Sequence, residues 1–139
     1  MEIISKEFVI VGSSGRDILI DISYKKNNFP KEIIIFSHGF KGFKDWGAFN
    51  YISKFFAKNN YVFLKFNFSH NGTTVNDPCE FNDLDAFSKN NFCKELDDLN
   101  LILNWIFECD IFKKEVDIKK IILFGHSRGG AISILKSRE

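Results

Sequence analysis

The chain has 139 residues, 45% of them hydrophobic and 27% charged, with a formal net charge of +1. That length suits one domain with one core. So even a charge balance gives no reason to expect a nucleic acid or an anionic membrane as partner, and no apolar run reaches the ~18 residues a membrane-spanning helix needs. The N-terminus, Met1 to Glu7, carries acids and no long apolar region, unlike a signal peptide. Cys79, Cys93 and Cys109 form no C-x-x-C pair and are odd in number. Reduced thiols in a cytoplasmic protein are therefore expected, rather than a zinc site or a disulfide framework. No metal or cofactor is implied.

The first element is a hairpin. Phe8 to Val11 is rich in β-formers, Gly12 to Gly15 is turn chemistry, and Ile18, Ile20 and Ile22 alternate with Leu19, Asp21 and Ser23. After the turn "NNFPKE", Ile33 to Phe36 is a continuous apolar run, as expected of a strand covered on both faces. A glycine-rich loop, His38 to Gly47, leads to Phe49, Ile52, Phe55 and Phe56 at helical spacing, closed by Asn59-Asn60. Tyr61 to Phe66 is the next strand. Residues 67–92 form a polar stretch too long for a plain connection, so a functional excursion or a short helix is expected there. Leu96, Leu99, Ile102, Leu103 and Ile106 mark a helix on the 3.6 period. Ile118 to Phe124 reads as another buried strand, and Ala131 to Leu135 starts a last helix. Alternation of this kind implies right-handed crossovers and an α/β fold with a mainly parallel sheet, the hairpin adding antiparallel strands at one edge.

Gly125-His126-Ser127-Arg128-Gly129 is a G-x-S-x-G pattern, with an apolar strand running into it and a helical pattern leaving it. That is the strand–turn–helix setting of an activated serine, a nucleophile elbow. The turn would expose the Ser127 hydroxyl, and the backbone N–H of Arg128 would face a developing oxyanion. His38-Gly39 follows the first fully apolar strand. There Phe40 would lend a second backbone N–H, and its side chain would line an acyl pocket.

With "SHGFKGFKDW", "FNFSHNGT", "FNDLDAFSKNNFCKELDDL" and "GHSRGG" in that order, the chain resembles the α/β-hydrolase superfamily, on its esterase, lipase and acyl-peptidase side. The resemblance covers nearly all of the chain but only about the N-terminal half of the family fold. It implies strands 1–5 of that fold in the order 1-2-4-3-5, and residues 1–139 as a single incomplete domain ending just past the elbow. It implies Ser127 as catalytic nucleophile, Phe40 and Arg128 as oxyanion-hole donors, and His38, Gly39, Gly125, His126 and Gly129 as supporting residues. The substrate would be a small molecule with an ester or amide acyl group. In that family an acid and a histidine follow the serine, whereas only Arg128 to Glu139 follow it here. Activity of this chain alone is therefore not expected.

The alternatives are a non-catalytic remnant or interaction module of the same fold, or half of a site completed in trans. Among upstream histidines, His38 is expected to hold its loop and His126 to leave the other side of the turn. His70, after the fourth strand, is the weak alternative base. A fifth strand standing last in the sheet would expose an uncharged edge, Ile121 to Phe124, through which association is expected. Asp97 and Asp98 are expected on a solvated helix face, and Lys41, Lys44 and Asp45 as exposed loop charges.

Overall fold

The computed structural model describes residues 2–110 and 113–139. Strand β1 (Ile3–Val11) turns through a short 3-10 segment, Ser13–Gly15, into β2 (Asp17–Lys25), followed by β3 (Lys31–Ser37). Then come α1 (Phe49–Lys58), β4 (Val62–Phe66), α2 (Leu84–Ser88), α3 (Phe92–Glu108), β5 (Val116–Gly125) and α4 (Arg128–Ser137). They form one five-stranded sheet in the order β1-β2-β4-β3-β5, as the resemblance implies. The sheet is mixed. β3 pairs in parallel with β4 and β5, while β2 runs against both β1 and β4, so β2 alone points the other way.

Period-two alternation decides which side of the sheet each side chain faces. In the run Ile33-Ile34-Ile35-Phe36, Ile33 and Ile35 enter the larger core beneath α3 and α4 with Ile20, Ile22, Leu64 and Phe66. Ile34 and Phe36 enter the smaller core with Phe49 of α1 and Phe63. A strand shared between two cores must be apolar at every position, which is why no alternation is legible there. Helix α1 turns Phe49, Ser53 and Ala57 inward, and its N-terminal apolar pattern misleads at one position: Phe55 is 52% exposed.

Two expectations about charge are corrected. Asp98 is buried, only 1% exposed, while Asp97 is exposed as expected. Asp98 and Glu95 share the inward face of α3 with Leu99, Ile102 and Ile106. The Asp98 carboxylate accepts hydrogen bonds from the N–H of Ser13 (2.8 Å) and of Ser69 (2.7 Å), clamping the hairpin turn and the post-β4 loop to α3. Burial raises its pKa against those bonds. Lys44 is buried too, and only Lys41 is an exposed loop charge. The Lys44 and Lys65 ammonium groups each bond to both Asp21 and Asp45, at 2.5–2.8 Å, closing a four-membered ring of charges. Burial opposes charge on Lys44, but hydrogen bonds and attraction from the two aspartates outweigh it and hold its pKa above the usual value. The ring ties the loop after β3 to β2 and β4, whose Asp21 and Lys65 are partners in register.

The expectation that β5 is buried is also corrected. Among the described residues it pairs only with β3, and Ile118, Ile122 and Phe124 stand 37–46% exposed along it.

Candidate active site

The loops after β3, β4 and β5 leave the sheet at the carboxyl ends of its parallel strands, the usual place for a ligand in an open α/β sheet. The β3–β5 register pairs Ser37 with Gly125, so the loop beginning at His38 and the turn beginning at His126 emerge side by side. The N–H of His126 donates to the Ser37 carbonyl (3.1 Å), holding them together.

Ser127 sits between β5 and α4 with φ 55° and ψ −117°. A left-handed φ on a residue with a Cβ costs on the order of 1–3 kcal/mol, which surrounding structure must offset. The offset comes from close packing that only glycine permits. A Cβ on Gly129 would lie 2.0 Å from the Ser37 carbonyl oxygen, and one on Gly125 would lie 2.3 Å from the Gly129 oxygen. The two glycines of the pattern thus let β5, the start of α4 and the end of β3 touch backbone to backbone. Ser127 is exposed, and among the described residues its hydroxyl has no hydrogen-bond partner.

The neighbouring loop is built around His38. Its Nδ1–H donates to the Gly39 carbonyl (2.9 Å), and its Nε2 accepts from the Phe68 N–H (3.1 Å). Both ring nitrogens are engaged, in the neutral form, and burial drives the pKa down to about 4. His38 therefore fastens the loop to the end of β4. The Gly39 carbonyl also accepts from the Gly42 N–H (3.0 Å), closing a turn in which Lys41 takes φ 56°. Farther along, the Lys44 N–H donates to Asn67 Oδ1 (2.6 Å).

The turn places Gly39 directly against the serine: a Cβ on Gly39 would lie 3.2 Å from Ser127 Cβ and 3.1 Å from the His126 carbonyl. Neither the N–H of Phe40 nor that of Arg128 has a protein acceptor among the described residues. Beside them lies a cavity of about 230 Å³ walled by Phe40, Trp46, Phe49 and His126. The His126 ring lies against Trp46 (5.9 Å between centroids) and Phe49 (5.7 Å).

The structure thus gathers Ser127, Arg128, Gly125, Gly129, His126, His38, Gly39 and Phe40 at one place. His70 is a different case. It is buried, with Nδ1 2.7 Å from Ser69 Oγ. Its pKa is lowered by burial first, then by Lys94 and Arg16. No hydrogen bond joins any of the three histidines to Ser127 among the described residues. Nor, among the described residues, does any group of three or more His, Cys, Asp or Glu converge as metal ligands would. No described helix is long and apolar enough to cross a membrane.

One site feature escaped sequence reasoning. The Arg128 Nε donates to Glu95 Oε1 (2.5 Å), and the guanidinium carbon lies 4.0 Å over the Phe92 ring. Glu95 is buried, and burial raises its pKa against the pull of Arg128. Extending the α3 apolar period back from Ile106 through Ile102 and Asp98/Leu99 lands on Glu95. An acid on the apolar stripe was the available signal.

The fold is that of an α/β-hydrolase. Structures with that fold superpose closely: brefeldin A esterase, a bacterial homologue of human hormone-sensitive lipase, has a TM-score of 0.72 at 15% identity. That match covers 97% of this chain and 34% of the esterase. Est1E from Butyrivibrio proteoclasticus has a TM-score of 0.69 at 16% identity, over 94% of this chain and 44% of its own. In sequence, the chain is 32% identical over 111 residues to "Putative esterase/lipase 2" of Mycoplasma pneumoniae, covering 80% of this chain. Its namesake in Mycoplasma genitalium is 31% identical over 108 residues. The chain spans about a third of the length of these two curated relatives. No protein-family model matches it.

Proposed function

We propose that Ser127 is the nucleophile of an acyl-transfer reaction on an ester or amide, as in a serine esterase, and that its turn is a nucleophile elbow. The observation that carries this is the strained Ser127 backbone, held against Gly39 by two glycines that tolerate no side chain. In the reaction, Ser127 Oγ bonds to the substrate carbonyl carbon and gives its proton to a base. The N–H groups of Phe40 and Arg128 receive the oxyanion. The bond to the leaving group then breaks as that group takes the proton, and water releases the acyl group by the same steps. The cavity beside Phe40 and Trp46 suits a small apolar acyl or aryl group. A fluorophosphonate probe should label the wild-type chain at Ser127 and leave Ser127→Ala unlabelled. Equal labelling of the two would remove Ser127 from the chemistry.

A second reading, that the site is completed by further polypeptide lying along β5, is favoured by the exposed apolar edge of that strand. That polypeptide would bring the histidine that takes the Ser127 proton. Under this reading, labelling of the chain by itself is slow and accelerates when the completing polypeptide is joined to it.

A further inference from the structure

Arg128 follows the serine directly, and its side chain is restrained more than a surface arginine needs to be. Its Nε is bound to the buried Glu95 carboxylate and its flat face rests on Phe92, the first residue of α3. These two contacts immobilise the plane of the guanidinium. They engage one of its five N–H donors. The terminal nitrogens, Nη1 and Nη2, have no acceptor among the described residues, and the side chain keeps 25% of its surface open to solvent. Phe92 opens α3, and Arg128, whose guanidinium lies above it, opens α4 directly after the exposed Ser127. A planar fork of donors with its orientation already set matches a carboxylate, which it can take through two parallel hydrogen bonds.

The Glu95–Arg128 pair is neutral in sum, so any preference for an anion must come from the geometry of the fork.

We propose that the free Nη edge of Arg128 is a carboxylate-binding subsite beside Ser127, selecting esters that carry a carboxylate a few bonds from the scissile carbonyl. This rests on the reading of Ser127 as nucleophile for its catalytic meaning, but the binding itself does not need the serine. The cavity at Phe40 and Trp46 then receives the uncharged part of the substrate and the fork at Arg128 its acid.

The test is a titration with glutarate as the probe, followed by the NMR signals of the Arg128 side chain and of the Ser127 and Gly129 amides. Glutaramide, an uncharged analogue, and sodium chloride at matched ionic strength are the controls. Saturable shifts with glutarate and not with either control are expected. The affinity should fall about tenfold in Arg128→Lys, which keeps a cation for Glu95 but loses the fork, and vanish in Arg128→Gln. Ser127→Ala should bind glutarate as the wild type does, so loss of probe labelling at Ser127 and loss of carboxylate binding are separate results. Absence of a saturable shift in the folded wild type, the same response to chloride, or undiminished binding in the folded Arg128→Lys protein would each overturn the subsite.

Discussion

The two ends of the sheet are built to different standards. At the β2–β4–β3 centre, Ile20, Ile35, Leu64 and Phe66 are fully enclosed, between the helices on one side and the strands beside them. At the other end, β5 and α4 are made of equally apolar residues that stay open. Ile118, Ile122, Phe124, Ile134 and Leu135 are all exposed by more than a third of their surface. Between α3, β5 and α4 runs a groove of about 740 Å³ floored by Leu103, Ile121 and Leu123. The contrast separates what a residue type asks for from what its neighbours supply. Ile122 and Ile35 have the same transfer free energy, about 1.5–3 kcal/mol for full burial, yet only Ile35 realises it within this chain. The candidate nucleophile stands at the boundary. Its turn is fastened on the β3 side by the His126 N–H bond to Ser37 and by backbone packing at Gly129, while β5, the strand that delivers it, has one edge free among the described residues.

The sharpest way to break that contrast is a matched pair of truncations. Ile35→Ala should lose about 2–5 kcal/mol of unfolding free energy, because it opens a cavity that close neighbours cannot refill. Ile122→Ala should lose well under half as much, because water already reaches that side chain. Denaturant titration of both variants decides the matter. Losses of similar size would mean that β5 is as enclosed in solution as the centre.

Next in size is the pH dependence contributed by His38. Its pKa is about 4 when folded, against the usual histidine value of 6.5, so the unfolded chain binds the proton more readily. Stability from this group is complete above the unfolded value and is lost as pH falls through the folded one. The span corresponds to about 3 kcal/mol between roughly pH 6.5 and pH 4. Asp98 and Glu95, whose pKa values are raised, have the opposite slope. The measurement is therefore the difference between wild type and His38→Asn across that window. A difference that stays flat with pH would show that His38 does not hold the loop as a neutral ring.

The smallest effect tests the free edge. Ile122→Lys should change unfolding free energy by only about 0.5 kcal/mol, as an exposed substitution does, while reducing self-association in sedimentation, because a charge on an open strand discourages strand addition. Unaltered association would place the contact surface elsewhere.

Much of the fold was legible because it rests on local patterns. The apolar runs, the turn residues Gly12 to Gly15 and the 3.6-residue stripe of α3 each announced an element. The G-x-S-x-G pattern between a strand and a helix pointed to the candidate site. The polar interior was not legible. Nothing local distinguishes Asp98 from Asp97, or Lys44 from Lys41. What separates them is a distant partner, the N–H groups of Ser13 and Ser69 for one and Asp21 for the other. The exposed state of β5 shows the same limit from the other side. Its apolar composition suits a buried strand, and only the tertiary structure reveals that one edge has no neighbour. Side-chain chemistry determines which conformations and environments a segment favours. Long-range contacts decide which charges are sheltered, which apolar faces remain open, and that the loop at Gly39 meets the turn at Ser127.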